Sequence, residues 1–271
     1  MSKILKTIFP LCAFTAAAVY MTAPGKAAES QKEPFRGKNF AHRGLHDKEK
    51  NVPENSLAAF AAAAEQGYGA ELDVHLSADG QVVVFHDDTL DRMCGVPGCI
   101  ENKSWKELSK FSLCGTQEHI PLLSQALEKL NGEPVIIELK TGKNNDELCE
   151  KTLELIDSYK GPACIESFDP FIVRWFKNKA PDILRGQLTT SREGFGGNTS
   201  AFNALVLSRV LTNCISRPHF IAHGLDKKSL AVRLSEALGA MKVAWTSHDR
   251  GSEDGNDAVI FEFYQPPVRY K

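Results

Sequence analysis

Ala70-Glu71-Leu72-Asp73-Val74 and Val135-Ile136-Ile137-Glu138-Leu139-Lys140 decide how this chain folds. Both are apolar runs of strand length with charges set two residues apart. In a strand, residues two apart share one face. Glu71 and Asp73 therefore point the same way, as do Glu138 and Lys140. Two further apolar runs end in charge: Phe40-Ala41 leads into His42-Arg43-Gly44, and Val82-Val83-Val84-Phe85 into His86-Asp87. Polar residues at the ends of strands in a repeating β/α pattern usually face an active site.

Outward from these runs, strand candidates recur near 38–42, 69–74, 81–86, 134–139, 162–166, 183–187, 218–222, 241–246 and 257–261. Helix candidates alternate with most of them, near 56–66, 104–110, 121–130, 145–159, 169–179, 200–214 and 226–238. The strands are continuous apolar runs, as expected of a parallel sheet buried on both faces. The alternation predicts a TIM (β/α)8 barrel, with an open doubly wound sheet as the other architecture. Nine candidates for eight places mean that one lies outside the barrel or is no strand. Residues 87–118 carry turn chemistry and one short helix, and read as a small insertion after the third strand. The stretch 201–211 reads as an outer barrel helix, or as a lid or membrane-facing element near the substrate mouth.

The formal net charge of -2 excludes bulk attraction to nucleic acid or anionic lipid. Residues 1–28 stand apart. Lys3 and Lys6 precede an uncharged apolar stretch over residues 7–25, the pattern of an export signal or a retained N-terminal membrane anchor. Ala16-Ala17-Ala18 is a candidate cleavage site inside that stretch. The expected location is extracytoplasmic, with membrane contact through residues 7–25. Residues 29–37 read as a polar linker, and 38–271 as one catalytic domain. Export would permit disulfides, and Cys94 and Cys99 could close a small loop. Cys149 and Cys164 read as buried thiols.

Glu71, Asp73 and Glu138 supply oxygen ligands without cysteine, which suits one divalent cation, Ca2+ or Mg2+. His42 and His86 are the acid/base candidates, because imidazole titrates near neutrality. Arg43 can fork onto phosphate oxygens, and Lys140 can add a point charge beside the metal. His75 is placed to support the site and His46 lies near His42. His119, His219, His223 and His248 read as structural. Trp245 is either core or a wall for a substrate group.

In order and combination these residues resemble the glycerophosphodiester phosphodiesterase family. The landmarks are Ala41-His42-Arg43-Gly44, Pro53-Glu54-Asn55-Ser56, Glu71-Leu72-Asp73-Val74, Val84-Phe85-His86-Asp87 with Leu90 and Arg92, and Ile137-Glu138-Leu139-Lys140. Ser167-Phe168 and Trp245-Thr246 resemble its later, weaker landmarks. The resemblance implies a TIM barrel, a cation on Glu71, Asp73 and Glu138, and His42 and His86 as the general acid/base pair. It places Arg43 and Lys140 near phosphate and Glu54 at the rim, holding substrate or the catalytic His. It implies cleavage of a glycerophosphodiester to sn-glycerol 3-phosphate and an alcohol. Asp257-Ala-Val-Ile260 is followed by Phe261-Glu262 instead of the common Thr-Asp, which leaves the choice of alcohol open. Two other readings are a lysophospholipase D-like enzyme on membrane lipids and a non-catalytic phosphodiester-binding barrel.

Overall fold

The computed structural model describes residues 15–197 and 199–271. Its strands are β1 (Lys38–His42), β2 (Gly69–Leu76), β3 (Val82–Val84), β4 (Val135–Leu139), β5 (Ala163–Ser167), β6 (Leu184–Thr189), β7 (Phe220–Gly224), β8 (Met241–Ser247) and β9 (Ala258–Phe261). All but β3 pair in parallel around a closed ring, with β1 joined to β9 on one side and to β2 on the other. The fold is the expected (β/α)8 barrel, and β3 is the strand left outside it. The reason is local. The chain turns from β2 to β3 within Ser77–Gln81, where Ser77 N donates to Gln81 O at 2.9 Å and Gly80 takes φ 74°. So short a connection can make only an antiparallel neighbour, because a parallel one needs a crossover of a dozen or more residues. The hairpin brings the chain back to the barrel rim. Phe85 N donates to Asp73 O at 3.0 Å, so His86 arrives level with Asp73.

Side chains fill the barrel interior, among them Phe40, Ile136, Leu184, Phe220, Met241 and Ile260. Two of these rings need glycine opposite them. A Cβ on Gly69 would meet the Phe40 ring at 2.6 Å, and one on Gly186 would meet Phe220 at 2.0 Å. Outside the strands lie helices Leu57–Glu65, Leu123–Leu130, Asn145–Ser158, Pro170–Lys179, Ala201–Ser208 and Leu230–Ala237. The helix expected over 200–214 stops at Ser208 and is followed by a separate turn, Asn213–Ser216. Between β8 and β9 there is only the short turn Arg250–Glu253. The C-terminal tail packs along β1 instead, where Asn39 N donates to Val268 O at 3.1 Å and Tyr270 N to Gly37 O at 2.8 Å.

The insertion has its own apolar core, built by Val83, Phe85, Leu90, Met93, Ile100, Leu108, Leu113 and Ile120. Its cysteines are not bridged: Cys94 and Cys99 are free thiols. Cys94 ends a helical turn capped by left-handed Gly95, while Cys99 pairs through its backbone with Thr89. The disulfide that Cys94 and Cys99 could have closed is not formed. Cys149 and Cys164 are buried thiols, as read.

Residues 1–14, including Lys3, Lys6 and the start of the apolar stretch, lie outside the described residues. From residue 15 the chain is helical to residue 22 and docks on the barrel. Thr22 is buried. Arg217 Nη1 donates to Tyr20 O at 3.0 Å and Ala23 O at 2.9 Å, and Gly25 N donates to Pro218 O at 2.8 Å. Residues 29–37, read as a linker from their polarity, are folded as well. They hold a helical turn, Glu29–Lys32, and bury Phe35 against Phe40 with ring centroids 5.9 Å apart. Among the described residues, no helix is long and apolar enough to cross a membrane.

Asn213 tests how firmly the N-terminal segment belongs to the domain. It is fully buried, and its Nδ2 donates to Thr22 O at 3.0 Å and Ser235 Oγ at 3.2 Å. Asn213→Ala should cost about 1–3 kcal/mol in urea unfolding and speed proteolytic cleavage around residues 15–25. A variant as stable and as resistant as the parent would mean that the segment adds nothing to the fold.

Candidate active site

Strand register assembles the site. His42 lies opposite Glu71 across β1 and β2, Asp73 opposite Glu138 across β2 and β4, and Glu138 opposite Glu166 across β4 and β5. Oxygen atoms of Glu71, Asp73 and Glu138 all fall within 4.8 Å of one another, and the three residues are buried. Lys140 Nζ sits 2.8 Å from Asp73 Oδ1 and 2.8 Å from Glu138 Oε1. Arg43 N donates to Glu71 Oε2 at 3.2 Å, and Arg43 Nε is 3.4 Å from Asp73 Oδ2. Asn55 Nδ2 donates to Asp73 Oδ2 at 2.8 Å. Either Asn55 or Ser56 could cap the helix that follows. The structure gives the cap to Ser56, whose Oγ accepts from Ala59 N at 3.1 Å, and this leaves Asn55 to hold the carboxylate.

The three acids are not electrostatically alike. Burial opposes charge on Asp73, yet Lys140, His86 and Arg43 hold its carboxyl well below the usual carboxylate range. Burial, followed by repulsion from Asp73, pushes Glu71 well up. Burial raises Glu138 to about 7 despite Lys140. Glu166 is buried too, with Oε2 unpartnered, and burial with repulsion from Glu138 pushes it well up. Oxygen donors alone, in a cluster short of positive charge, suit a hard divalent cation. Glu71, Asp73 and Glu138 could hold one.

Each candidate histidine has a carboxylate behind it. His42 Nδ1 lies 3.3 Å from Glu262 Oε1, and its Nε2 lies 3.9 Å from Glu71 Oε2. His86 Nδ1 lies 2.7 Å from Asp87 Oδ1. Burial, the largest influence on both rings, lowers their pKa. Both are therefore neutral near pH 7 and able to accept a proton. His75 is buried beside His86, with Nε2 3.4 Å from the His86 carbonyl. Glu54 reaches neither histidine. It sits between two guanidinium groups, accepting from Arg43 Nη1 at 2.6 Å and from Arg92 at 2.7 and 2.9 Å. Arg92 in turn donates to Asp87 at 2.6 and 3.0 Å. An unbroken chain of ion pairs thus runs from Arg43 to Asp87, the carboxylate that meets His86.

Sequence reasoning missed Asn55, Arg92 and Glu166 as site residues and, above all, Glu262. This carboxylate meets three imidazoles: His42, His46 Nε2 at 3.0 Å, and His248 Nε2 at 3.4 Å, the last read as structural. A signal was available. Ala258 and Ile260 face the barrel interior, and the same alternation carries Glu262 to the rim just past β9. Trp245 is both core and wall. Its Nε1 donates to Ala222 O at 3.0 Å, and its ring meets Phe168 edge-on at 5.7 Å. His86, Glu138, Lys140 and Phe168 line a cleft of about 430 Å³. His119 and His219 lie elsewhere, bonded in the insertion and buried at the start of β7 respectively.

The glycerophosphoryl diester phosphodiesterase family model matches residues 42–262. A glycerophosphodiester phosphodiesterase of Caldanaerobacter subterraneus is 36% identical over 55% of this chain and 65% of its own length. A lysophospholipase D of Rattus norvegicus is 34% identical over 51% of this chain and 46% of its own. The chain thus spans less than two thirds of the length of these relatives. Among solved structures, an Oleispira antarctica phosphodiesterase in complex with the product sn-glycerol-3-phosphate superposes with a TM-score of 0.67 at 26% identity. That match covers 83% of this chain and 93% of the other.

A cation should stabilise the protein in a pH-dependent way. Glu71 and Glu138 have folded-state pKa values above the ordinary carboxylate value. Without metal, the folded chain therefore keeps protons that the unfolded chain has lost, and these groups cost stability as pH rises towards about 7. Bound cation replaces those protons, so its stabilisation grows over the same interval. At ~100 times Kd it should reach about 2.7 kcal/mol, or roughly 5–10 °C in Tm. Melting curves after chelation, with Ca2+ or Mg2+ restored at pH 5 and pH 8, should show the larger gain at pH 8. A gain no larger at pH 8 than at pH 5, or a full gain in Glu71→Gln, would count against the cluster as the site.

Proposed function

The chain belongs to the glycerophosphoryl diester phosphodiesterase family, and from that premise we propose that it hydrolyses glycerophosphodiesters to sn-glycerol 3-phosphate and an alcohol. One observation carries the reading: two imidazoles, each with Nδ1 against a carboxylate, beside a buried triad of acids. At His86 the 2.7 Å contact of Nδ1 with Asp87 favours the tautomer with its proton there, which leaves the Nε2 lone pair free to accept a proton, and Glu262, 3.3 Å from His42 Nδ1, is placed to do the same. One imidazole would take the proton as water forms its bond to phosphorus; where a neighbouring hydroxyl of the substrate attacks instead, the cyclic phosphate formed would be opened by water in a second step. The other imidazole, which the bound phosphodiester anion would favour in its protonated form, would deliver a proton to the alcohol oxygen as its bond to phosphorus breaks. Lys140 has three N–H donors and two carboxylate partners, so one donor remains for a phosphate oxygen. Arg43 likewise has more donors than the Glu54 and Asp73 contacts use. A divalent cation, Ca2+ or Mg2+, on Glu71, Asp73 and Glu138 would supply Lewis-acid polarisation of a phosphoryl oxygen.

A lysophospholipid is a second substrate reading. It is supported by the lysophospholipase D relative and by Phe202, which is 72% exposed on the helix Ala201–Ser208. If it holds, turnover rises with acyl-chain length. The basic, apolar start of the chain supports an extracytoplasmic location.

Release of sn-glycerol 3-phosphate from soluble glycerophosphodiesters should be lost on chelation and return with added cation. His42→Ala and His86→Ala should each lower kcat by about 10²–10⁴-fold. Undiminished turnover in either variant would remove that histidine from the mechanism. Glu262→Gln keeps the size of the side chain but loses the charge behind His42. It should lower kcat by at least about tenfold with a smaller change in KM, and Glu262→Asp should recover part of the loss. Equal kcat in Glu262→Gln and the parent would show that His42 needs no carboxylate.

A further inference from the structure

Beside the cleft that holds His86 and Lys140 lies a second cavity of about 270 Å³, and Phe168 stands in the wall of both. Its other rings are Phe195, edge-on to Phe168 at 5.9 Å, and Trp245, edge-on at 5.7 Å. The bond from Trp245 Nε1 to Ala222 O fixes that indole. Among the described residues, no Lys, Arg or His lines the cavity. One of its few polar groups, the Thr190 hydroxyl, is already given to Asp226 Oδ2 at 2.8 Å, which also accepts from Ser191 N at 2.7 Å. A Cβ on Gly194 would meet Thr190 Oγ1 at 2.3 Å and Asp226 Oδ2 at 3.1 Å. The carboxylate thus stands immediately behind the cavity wall.

A glycerol arm is a poor occupant, because two hydroxyls would lose water and find few partners. A primary ammonium has the same difficulty with its three N–H groups. A quaternary ammonium has no N–H to satisfy, is attracted by aromatic faces and is favoured by a nearby carboxylate. We propose that this cavity takes the alcohol arm of the phosphodiester and selects a trimethylammonium group, as in choline esters. The proposal rests on the phosphodiesterase reading of the adjoining site. It assigns Phe168, Phe195 and Trp245 as specificity-determining residues and Asp226 as the charge behind them.

The test compares glycerophosphocholine with its neutral isostere, the 3,3-dimethylbutyl ester, and with glycerophosphoethanolamine. The wild type should show kcat/KM about tenfold higher for the choline ester than for either competitor. In Phe195→Leu, which keeps an apolar wall but removes a ring, that ratio should fall several-fold. Equal turnover of the choline ester and its isostere would overturn the proposal, since the cavity would then read size and not charge. So would an unchanged ratio in Phe195→Leu. Choline binding, followed by tryptophan fluorescence, keeps the test independent of catalysis. If no diester is cleaved but choline binds more tightly than 3,3-dimethylbutanol, and less tightly to Phe195→Leu, the cavity assignment stands and the phosphodiesterase reading fails. If choline binds no better than the neutral alcohol, the cavity assignment fails whatever the turnover.

Discussion

Three carboxylates buried within 4.8 Å of one another at the rim of a closed barrel constrain everything around them. Charges so placed repel strongly in a low-dielectric setting, and each nearby element answers that repulsion. Lys140, two residues beyond Glu138, bridges two of the three acids. The backbone of Arg43 turns into the left-handed region at φ 55° and gives its N–H to Glu71. Asn55, also at positive φ, gives its amide to Asp73. Asp73 emerges as the firmly ionised member, while Glu71 and Glu138 are held up by burial and by their neighbours. That asymmetry leaves two acids that a cation could hold ionised in place of a proton.

The insertion follows from the same site. His86 comes back to the barrel on an antiparallel return and not on a barrel strand, so β2 holds its backbone, through Asp73 and His75, while Asp87 holds its imidazole. The insertion's apolar core holds the segment that carries Arg92, and Arg92 ties Asp87 to Glu54. On the other side of the site the end of β9 does the equivalent work with one residue, since Glu262 backs His42 and also meets His46 and His248. Two histidines reached by different routes thus end in like surroundings, each with a carboxylate behind Nδ1.

Much of this was legible in the amino-acid sequence because it is local. The two-residue period of a strand put Glu71 with Asp73 and Glu138 with Lys140 before any partner strand was known. Nine apolar runs against eight barrel places meant that one lay outside the ring or was no strand. The Asp79-Gly80 turn between Leu76 and Val82 held the reason, since so short a link cannot cross over to a parallel neighbour. The polarity of residues 29–37 and cysteine spacing were weaker guides. Residues 15–37 fold against the barrel where the described residues show them, and the Cys94 and Cys99 thiols are free.

What the sequence determined by itself was the set of strands, the face each acid takes and the residue types gathered at the strand ends, all consequences of backbone period and burial. Tertiary structure decided which distant groups meet. Ring closure carries β9 to β1 and so brings Glu262 behind His42. Parallel register sets Glu166 opposite Glu138. Packing of the insertion aligns Arg92 between two carboxylates, and three rings from separate loops and strands close one cavity. Such pairings depend on strand order and register, which a local pattern does not carry, because a side chain's period says which way it points and not what it will meet.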